Sequence, residues 1–343
     1  MKEKRQYPFT AIVGQERMKT ALILNLINPL LNGVLIRGEK GTAKSTAVRA
    51  LAELMPLRKQ VKGCSFGCDP EGKELCSACE EKRAAGTGLE WEEQKMRVVD
   101  LPVSATEDRV VGTLDIEYAI QHGEKKFESG ILALANRNIL YVDEINLLDD
   151  HVVDVLLDSA AMGVNTIERE GISFTHPARF TLVGTMNPEE GDLRPQLLDR
   201  FGLVVDVIGE SSKEQRAEVV RRRLEYEEDP EQFAKKYEEE QRLLAEKIVT
   251  AQTILKEVTY SNEILMMAAT LSLALGVDGH RADITMIKTA MTLAAFQGRR
   301  QVEREDLKLA AEYVLPHRLR RNPFENGVMN LETIERILVD NNL

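Results

Sequence analysis

Short apolar runs alternate with helical stripes through the first two-thirds of the chain. Gly33-Val34-Leu35-Ile36-Arg37-Gly38 is an apolar run ending in glycine, and the helical pattern Lys44–Met55 follows it and closes at Pro56. Asn138–Val142 and Arg179–Gly184 are again short, apolar and rich in β-branched or aromatic residues, as in strands buried on both faces of a parallel sheet. Asp149–Met162 spaces its apolar residues at helical intervals and stops at Gly163, which suits a helix C-cap. The pattern predicts an α/β fold, a parallel sheet flanked by helices.

From about Ser211 the strand signals stop. Glu225–Glu246 is dense in Glu, Lys, Gln and Arg and reads as a solvated linking helix. Ser261 can cap a helix from Asn262 to Leu275, and further helical patterns cover Ala282–Gln297, Glu303–Leu315 and Leu331–Asp340. The predicted division is an α/β domain over 1–208, charged linking helices over 209–257 and a helical domain over 258–343. Met266, Met267, Ile284, Ile287 and Met291 are expected in the core of that last domain.

Composition narrows the classes. With 43% hydrophobic and 29% charged residues in 343, the chain is expected to fold compactly. Its 45 basic and 56 acidic residues leave a net charge of −11, which argues against general affinity for nucleic acid or anionic membrane. The most apolar run, Ile264–Val277, is too short for a bilayer span, and no secretory signal precedes the first motif, so a cytoplasmic location is expected. All four cysteines lie between Cys64 and Cys79, unlike a disulfide framework spread over a secreted fold.

Three segments carry chemistry. Gly38-Glu39-Lys40-Gly41-Thr42-Ala43-Lys44-Ser45-Thr46 follows a strand and opens a helix, the context of a phosphate-binding P-loop. Its backbone N–H groups can cradle phosphate oxygens, Lys44 can neutralise β/γ charge, and the Ser45 hydroxyl can ligate Mg²⁺. Ala43 stands where the strict pattern has glycine; at a helix start with negative φ, alanine would be tolerated well. Second, Ile139–Glu144 is an apolar strand delivering two carboxylates, Asp143 to orient Mg²⁺ or its water and Glu144 to polarise the attacking water, although such a pair can also cap the next helix. Third, Thr185-Met186-Asn187-Pro188 ends a strand with an amide able to hold that water, or merely with a turn. Arg200 and Arg281 are guanidinium groups suited either to transition-state charge or to structural ion pairs.

Together the P-loop, YVDEIN, GTMNP, LRPQLLDRF and the helical segment with Arg281 resemble the AAA+ ATPases, and specifically the family of the ATPase subunit I of magnesium chelatase. The stretches from Phe127 to Asp150, Gly163 to Ser173 and Met186 to Gly202 are the most specific, and the likeness covers nearly the whole chain. It implies a P-loop domain followed by a helical lid, and a homo-oligomeric, hexameric ring with ATP and Mg²⁺ between subunits. Lys44, Asp143, Glu144 and Asn187 match the family's catalytic positions, Arg200 its arginine finger acting in trans, and Arg281 its lid arginine. The implied partners are an AAA+ subunit with a von Willebrand A-type domain and a large porphyrin-binding subunit, together inserting Mg²⁺ into protoporphyrin IX.

The resemblance also implies a hairpin insertion near 103–127 and an adenine-side contact at Gly14-Gln15. The chain carries a further insertion near 63–80, where Cys64, Cys68, Cys76 and Cys79 can close a tetrahedral zinc site; redox-active or free thiols and an iron–sulfur cluster satisfy the same count. Other clients remain open, namely cobalt chelation or metalloenzyme maturation with a von Willebrand A-type partner. So does a nucleotide-gated assembly scaffold. A DNA-translocating motor would have only Arg221–Arg223 and Arg318–Arg321 as basic clusters.

Overall fold

The computed structural model describes residues 5–39, 41–115, 126–169, 172–209, 212–319 and 331–341. Lys40, the centre of the expected hairpin and Arg320 and Arg321 lie outside the described residues. In chain order the strands are β1 (Val34–Gly38), β2 (Arg58–Val61), β3 (Trp91–Gln94), β4 (Val98–Leu101), β5 (Gly112–Asp115), β6 (Lys126–Ser129), β7 (Ile139–Val142), β8 (Val164–Arg169), β9 (Ile172–Pro177), β10 (Thr181–Met186) and β11 (Leu203–Val207). The helices α1 (Glu16–Ile27), α2 (Lys44–Leu54), α3 (Ser77–Ala84), α4 (Glu107–Val111), α5 (Ile131–Ala135), α6 (Asp150–Met162) and α7 (Pro195–Leu198) are interleaved with them. After β11 the chain is helical: α8 (Lys213–Glu228), α9 (Pro230–Lys236), α10 (Glu238–Ile254), α11 (Asn262–Ala274), α12 (Arg281–Phe296), α13 (Arg304–Val314) and α14 (Leu331–Asp340).

A five-stranded sheet runs in the order β11-β1-β10-β7-β4, and every neighbouring pair is parallel. Its strands alternate between two cores. Val34, Ile36, Ile139 and Tyr141 face α1, α2 and the C-terminal helices, whereas Leu35, Leu140 and Val142 face α5 and α6. Burial on both faces is why these strands read as unbroken apolar runs. β4 and β11, which form the two edges, were not anticipated from the sequence.

Two antiparallel hairpins stand off the sheet. β5 pairs with β6 between α4 and α5, and β8 pairs with β9 directly after α6. A third antiparallel pair, β2 with β3, encloses the cysteine-containing segment.

Two expectations fail here. The charged stretch 225–246 is not one solvated helix: Asp229-Pro230 ends α8 and starts α9, the Asp229 carboxylate accepting from the Glu231 and Gln232 N–H groups. Tyr226 and Phe233 within it are buried with Ala11. In the C-terminal helices Met267 and Ile287 are buried, but Met266 is 53% and Ile284 54% exposed, because each lies on the outer face of its helix. Among the described residues no helix is long and apolar enough to cross a membrane.

Candidate nucleotide-binding site

The C-terminal ends of β1, β7 and β10 open into a cavity of about 700 Å³, a size suited to a nucleotide. Gly38 ends β1 where a Cβ would meet the Val207 carbonyl oxygen at 2.2 Å, so only glycine fits against β11. The loop then curls back on itself. The Thr42 hydroxyl donates to Glu39 O at 2.9 Å, and Lys44 Nζ donates to Gly38 O and, at 3.1 Å, to Glu39 O. Gly41, Thr42, Ala43, Lys44, Ser45 and Thr46 all line the cavity, and Ala43 O accepts the first α2 bond from Ala47 N at 2.9 Å.

Ala43 corrects the sequence reading. Its φ is +60° with ψ 18°, in the left-handed region rather than at negative φ, because the loop must reverse just before α2 begins. An alanine there carries a cost of about 1 kcal/mol that glycine avoids.

Strand β7 hands Asp143 and Glu144 to the same cavity. Asp143 Oδ1 accepts from the Thr185 hydroxyl at 2.5 Å and the Tyr141 hydroxyl at 3.0 Å, so both neighbours fix the carboxylate's direction. Burial pushes the Tyr141 phenol upward, so it stays a donor. Glu144 has φ +52°, and its N–H donates to Thr185 Oγ1 at 3.2 Å; one hydroxyl thus ties both acidic residues to β10. Asn187, buried at the end of β10, lines the cavity while its Oδ1 accepts from Glu189 N at 3.3 Å.

Comparison with known proteins follows the same outline. Residues 115–195 match the family model for magnesium chelatase, subunit ChlI, and residues 265–337 match the AAA lid domain. The chain is 59% identical, over 97% of its length and 90% of the relative's, to the magnesium-chelatase subunit ChlI homolog of Methanocaldococcus jannaschii. It is 48% identical to the magnesium-chelatase 38 kDa subunit of Cereibacter sphaeroides, covering 98% of this chain and 99% of that one. The chain belongs to the ChlI family of AAA+ ATPases. Among solved structures it resembles a chain of the complex between subunits BchI and BchD of magnesium chelatase, with 46% identity, a TM-score of 0.56 and coverage of 97% and 99% of the two chains.

The two arginines of this ChlI-family chain stand outside its own cavity. Arg200, just after α7, pairs with Asp154 at 2.6 Å and Asp158 at 3.2 Å on α6. Arg281, the first residue of α12, pairs at 2.5 Å with Asp199, which also holds the buried Arg318 at 3.1 Å. Burial lowers the Arg318 guanidinium to about 10. Arg221 and Arg222 both pair with Glu218, and Arg223 with Glu227 at 2.6 Å, so two carboxylates offset most of the charge of the cluster 221–223.

Sequence reading missed the far wall. Arg216, Val219, Val220 and Arg223 of α8 line the cavity together with Ile12 and Val13, and their spacing of three, four and seven along one helix face was the available signal. Gln15, in the expected segment, lines the cavity at φ +56° and donates from Nε2 to Ile208 O at 2.9 Å. Tyr7 joins this wall, its phenol pushed up to about 12 by burial.

Proposed function

We propose that this chain is the ATP-hydrolysing motor of a magnesium chelatase-like complex and drives Mg²⁺ insertion into a tetrapyrrole, protoporphyrin IX, through partner subunits. One observation carries the reading: the P-loop, the Asp143–Glu144 pair and Asn187 converge on a single cavity at the C-terminal edge of a parallel sheet. The loop N–H groups and Lys44 hold the phosphates, and the apolar wall of Ile12, Val13, Val219 and Val220 suits the base. Ser45 and Asp143 would hold Mg²⁺, which supplies charge neutralisation at the phosphates when bound. Glu144 accepts a proton from the attacking water, and Asn187 orients that water.

Arg200 serves a neighbouring subunit as an arginine finger in a homo-oligomeric, hexameric ring. Its position after α7, paired with α6 and away from its own cavity, supports that assignment. Arg281 serves as the lid arginine once its pair with Asp199 opens. Resemblance to a chain of the BchI–BchD complex supports an AAA+ partner with a von Willebrand A-type domain, and a large porphyrin-binding subunit completes the assembly. In Glu144→Gln, ATP binding is expected to persist while phosphate release falls to background; undiminished hydrolysis rejects the assignment.

A second reading keeps the motor and changes the client to cobalt chelation or metalloenzyme maturation. Mass spectrometry of native proteins retained by Glu144→Gln with ATP separates the two: a porphyrin-binding subunit supports the chelatase, and an unrelated client replaces it.

A further inference from the structure

The segment between β2 and β3 cannot hold itself together with carbon alone. Its buried cluster is Val61, Leu75, Cys68, Cys76 and Cys79, with Cys64, Phe66 and Leu89 packed around it, so three of the five buried members are thiols. Units shorter than about 40 residues ordinarily need a disulfide or a metal to fold. All four sulfurs lie within 4.8 Å of one another, and Cys64 Sγ is 3.8 Å from Cys76 Sγ. Four thiolates about 2.3 Å from one Zn²⁺ in a tetrahedron are about 3.8 Å apart, whereas a disulfide requires about 2.05 Å.

The backbone is built around this cluster. Cys64 O accepts from Gly67 N at 3.2 Å in a turn that presents the first pair, and Cys76 caps α3 while its carbonyl accepts from Cys79 N and Glu80 N, presenting the second. Across the pairs, Cys76 N donates to Cys68 Sγ at 3.2 Å, the kind of bond that orients a ligating thiolate. Three residues rather than two separate Cys64 from Cys68. The turn closes with Gly67 at φ +56°, directly after Phe66.

Phe66 leads to both hairpins. Its ring stacks on His176 of β9 at 4.7 Å and on Phe127 of β6 at 6.0 Å, and Phe127 stacks on Phe174 at 4.4 Å. Asn136 Nδ2 donates to Phe66 O at 2.7 Å, and Arg137 donates to Gly67 O at 3.1 Å and pairs with Asp69 at 3.0 Å. Each anchor lies between or next to a cysteine, so the arrangement of the sulfurs sets where the hairpins rest.

We propose that Cys64, Cys68, Cys76 and Cys79 bind one Zn²⁺ and that this metal turns the segment into a clasp holding β5–β6 and β8–β9 against each other through Phe66. This rests on the cysteine geometry and is independent of the client assigned above. Elemental analysis of the full-length chain, saturated with ZnCl₂ and freed of excess ion, is expected to give one zinc per chain. Cobalt exchange should add thiolate charge-transfer bands and tetrahedral ligand-field bands. A metal-free protein, stoichiometric iron, or a cysteine disulfide in non-reducing peptide maps overturns the site.

Removing zinc with a chelator should shift the emission of Trp91, the chain's single tryptophan, which pairs with Val61 across β2–β3. It should also speed hydrogen exchange in β6 and β9. Phe66→Ala should retain zinc and reproduce the faster exchange alone. Unchanged exchange in both experiments removes the clasp and leaves only a metal site.

Discussion

The nucleotide cavity and the cysteine segment are ordered by different means. The acid pair extends from β7, and Ile139, Leu140, Tyr141 and Val142 are each at most 4% exposed within two continuous cores, so its position is inherited from the whole sheet. The cysteine segment has five buried residues and borrows the rest of its order from Phe127, His176, Arg137 and Asn136. One site therefore fails when chemistry is removed, the other when a local fastening is removed. The two can therefore be damaged separately.

The largest effect belongs to the cavity. Arg200→Ala is expected to lower assembled turnover on the order of 10³-fold, about 4 kcal/mol, by arginine-finger precedent. Nucleotide binding by the chain and its metal content should not change. Steady-state hydrolysis at saturating ATP checks this, and restoration of activity by mixing Arg200→Ala with Glu144→Gln subunits would locate the arginine in trans. A loss confined to stability would make Arg200 a structural partner of Asp154 and Asp158.

Phe66→Ala tests the other region. The ring is partly buried and touches both hairpins, so its truncation should cost about 2 kcal/mol of local stability, below the range for a fully buried phenylalanine. Exchange in β6 and β9 should accelerate while basal ATP turnover of the chain is unchanged. A parallel fall in basal turnover would mean that the clasp supports the cavity as well.

The same contrast explains what could be read from the sequence. β1, β7 and β10 announce themselves because both faces are buried, and the P-loop and acid pair sit at their ends. β4 and β11 were missed because each carries an aspartate inside its apolar run, Asp100 and Asp206, which only the folded chain supplies with partners, Arg49 at 2.9 Å and Arg37 at 2.8 Å. The cavity's far wall was hidden in the same way, since Arg216, Val219, Val220 and Arg223 lie at the start of a charge-rich region that reads as a solvated face. Cysteine spacing showed that a cluster was possible, but only the fold brings Phe127, Phe174 and His176 from two distant hairpins onto Phe66.

A smaller effect follows from His176. It is buried, with Nδ1 bonded to Pro177 O at 2.9 Å and Nε2 facing Asn165 Nδ2 at 3.0 Å, so the neutral ring donates from the first and accepts at the second. Burial lowers its pKa from the ordinary 6.5. The unfolded chain therefore binds a proton that the folded one refuses, and stability present above pH 6.5 is lost as pH falls toward the folded value. The slope from one such group is at most about 1.4 kcal/mol per pH unit. The buried His317 shifts in the same direction, so His176→Gln should reduce the slope without abolishing it, as measured by urea unfolding between about pH 5 and pH 8.

The smallest effect decides a conformation. If Ala43 had negative φ at a helix start, Ala43→Gly would destabilise the chain by about 1 kcal/mol, because glycine is the poorer helix former. At φ +60° the sign reverses: relief of the left-handed alanine exceeds the extra freedom glycine gives the unfolded chain, leaving a net gain of about 0.5 kcal/mol. Denaturant unfolding of the two proteins under identical conditions measures the difference directly. A gain places the cost of this alanine in the loop that faces the phosphates, where stability is lost to keep backbone N–H groups turned toward the cavity. A loss returns residue 43 to the helix and leaves Gly41 as the left-handed position on which the cradle depends.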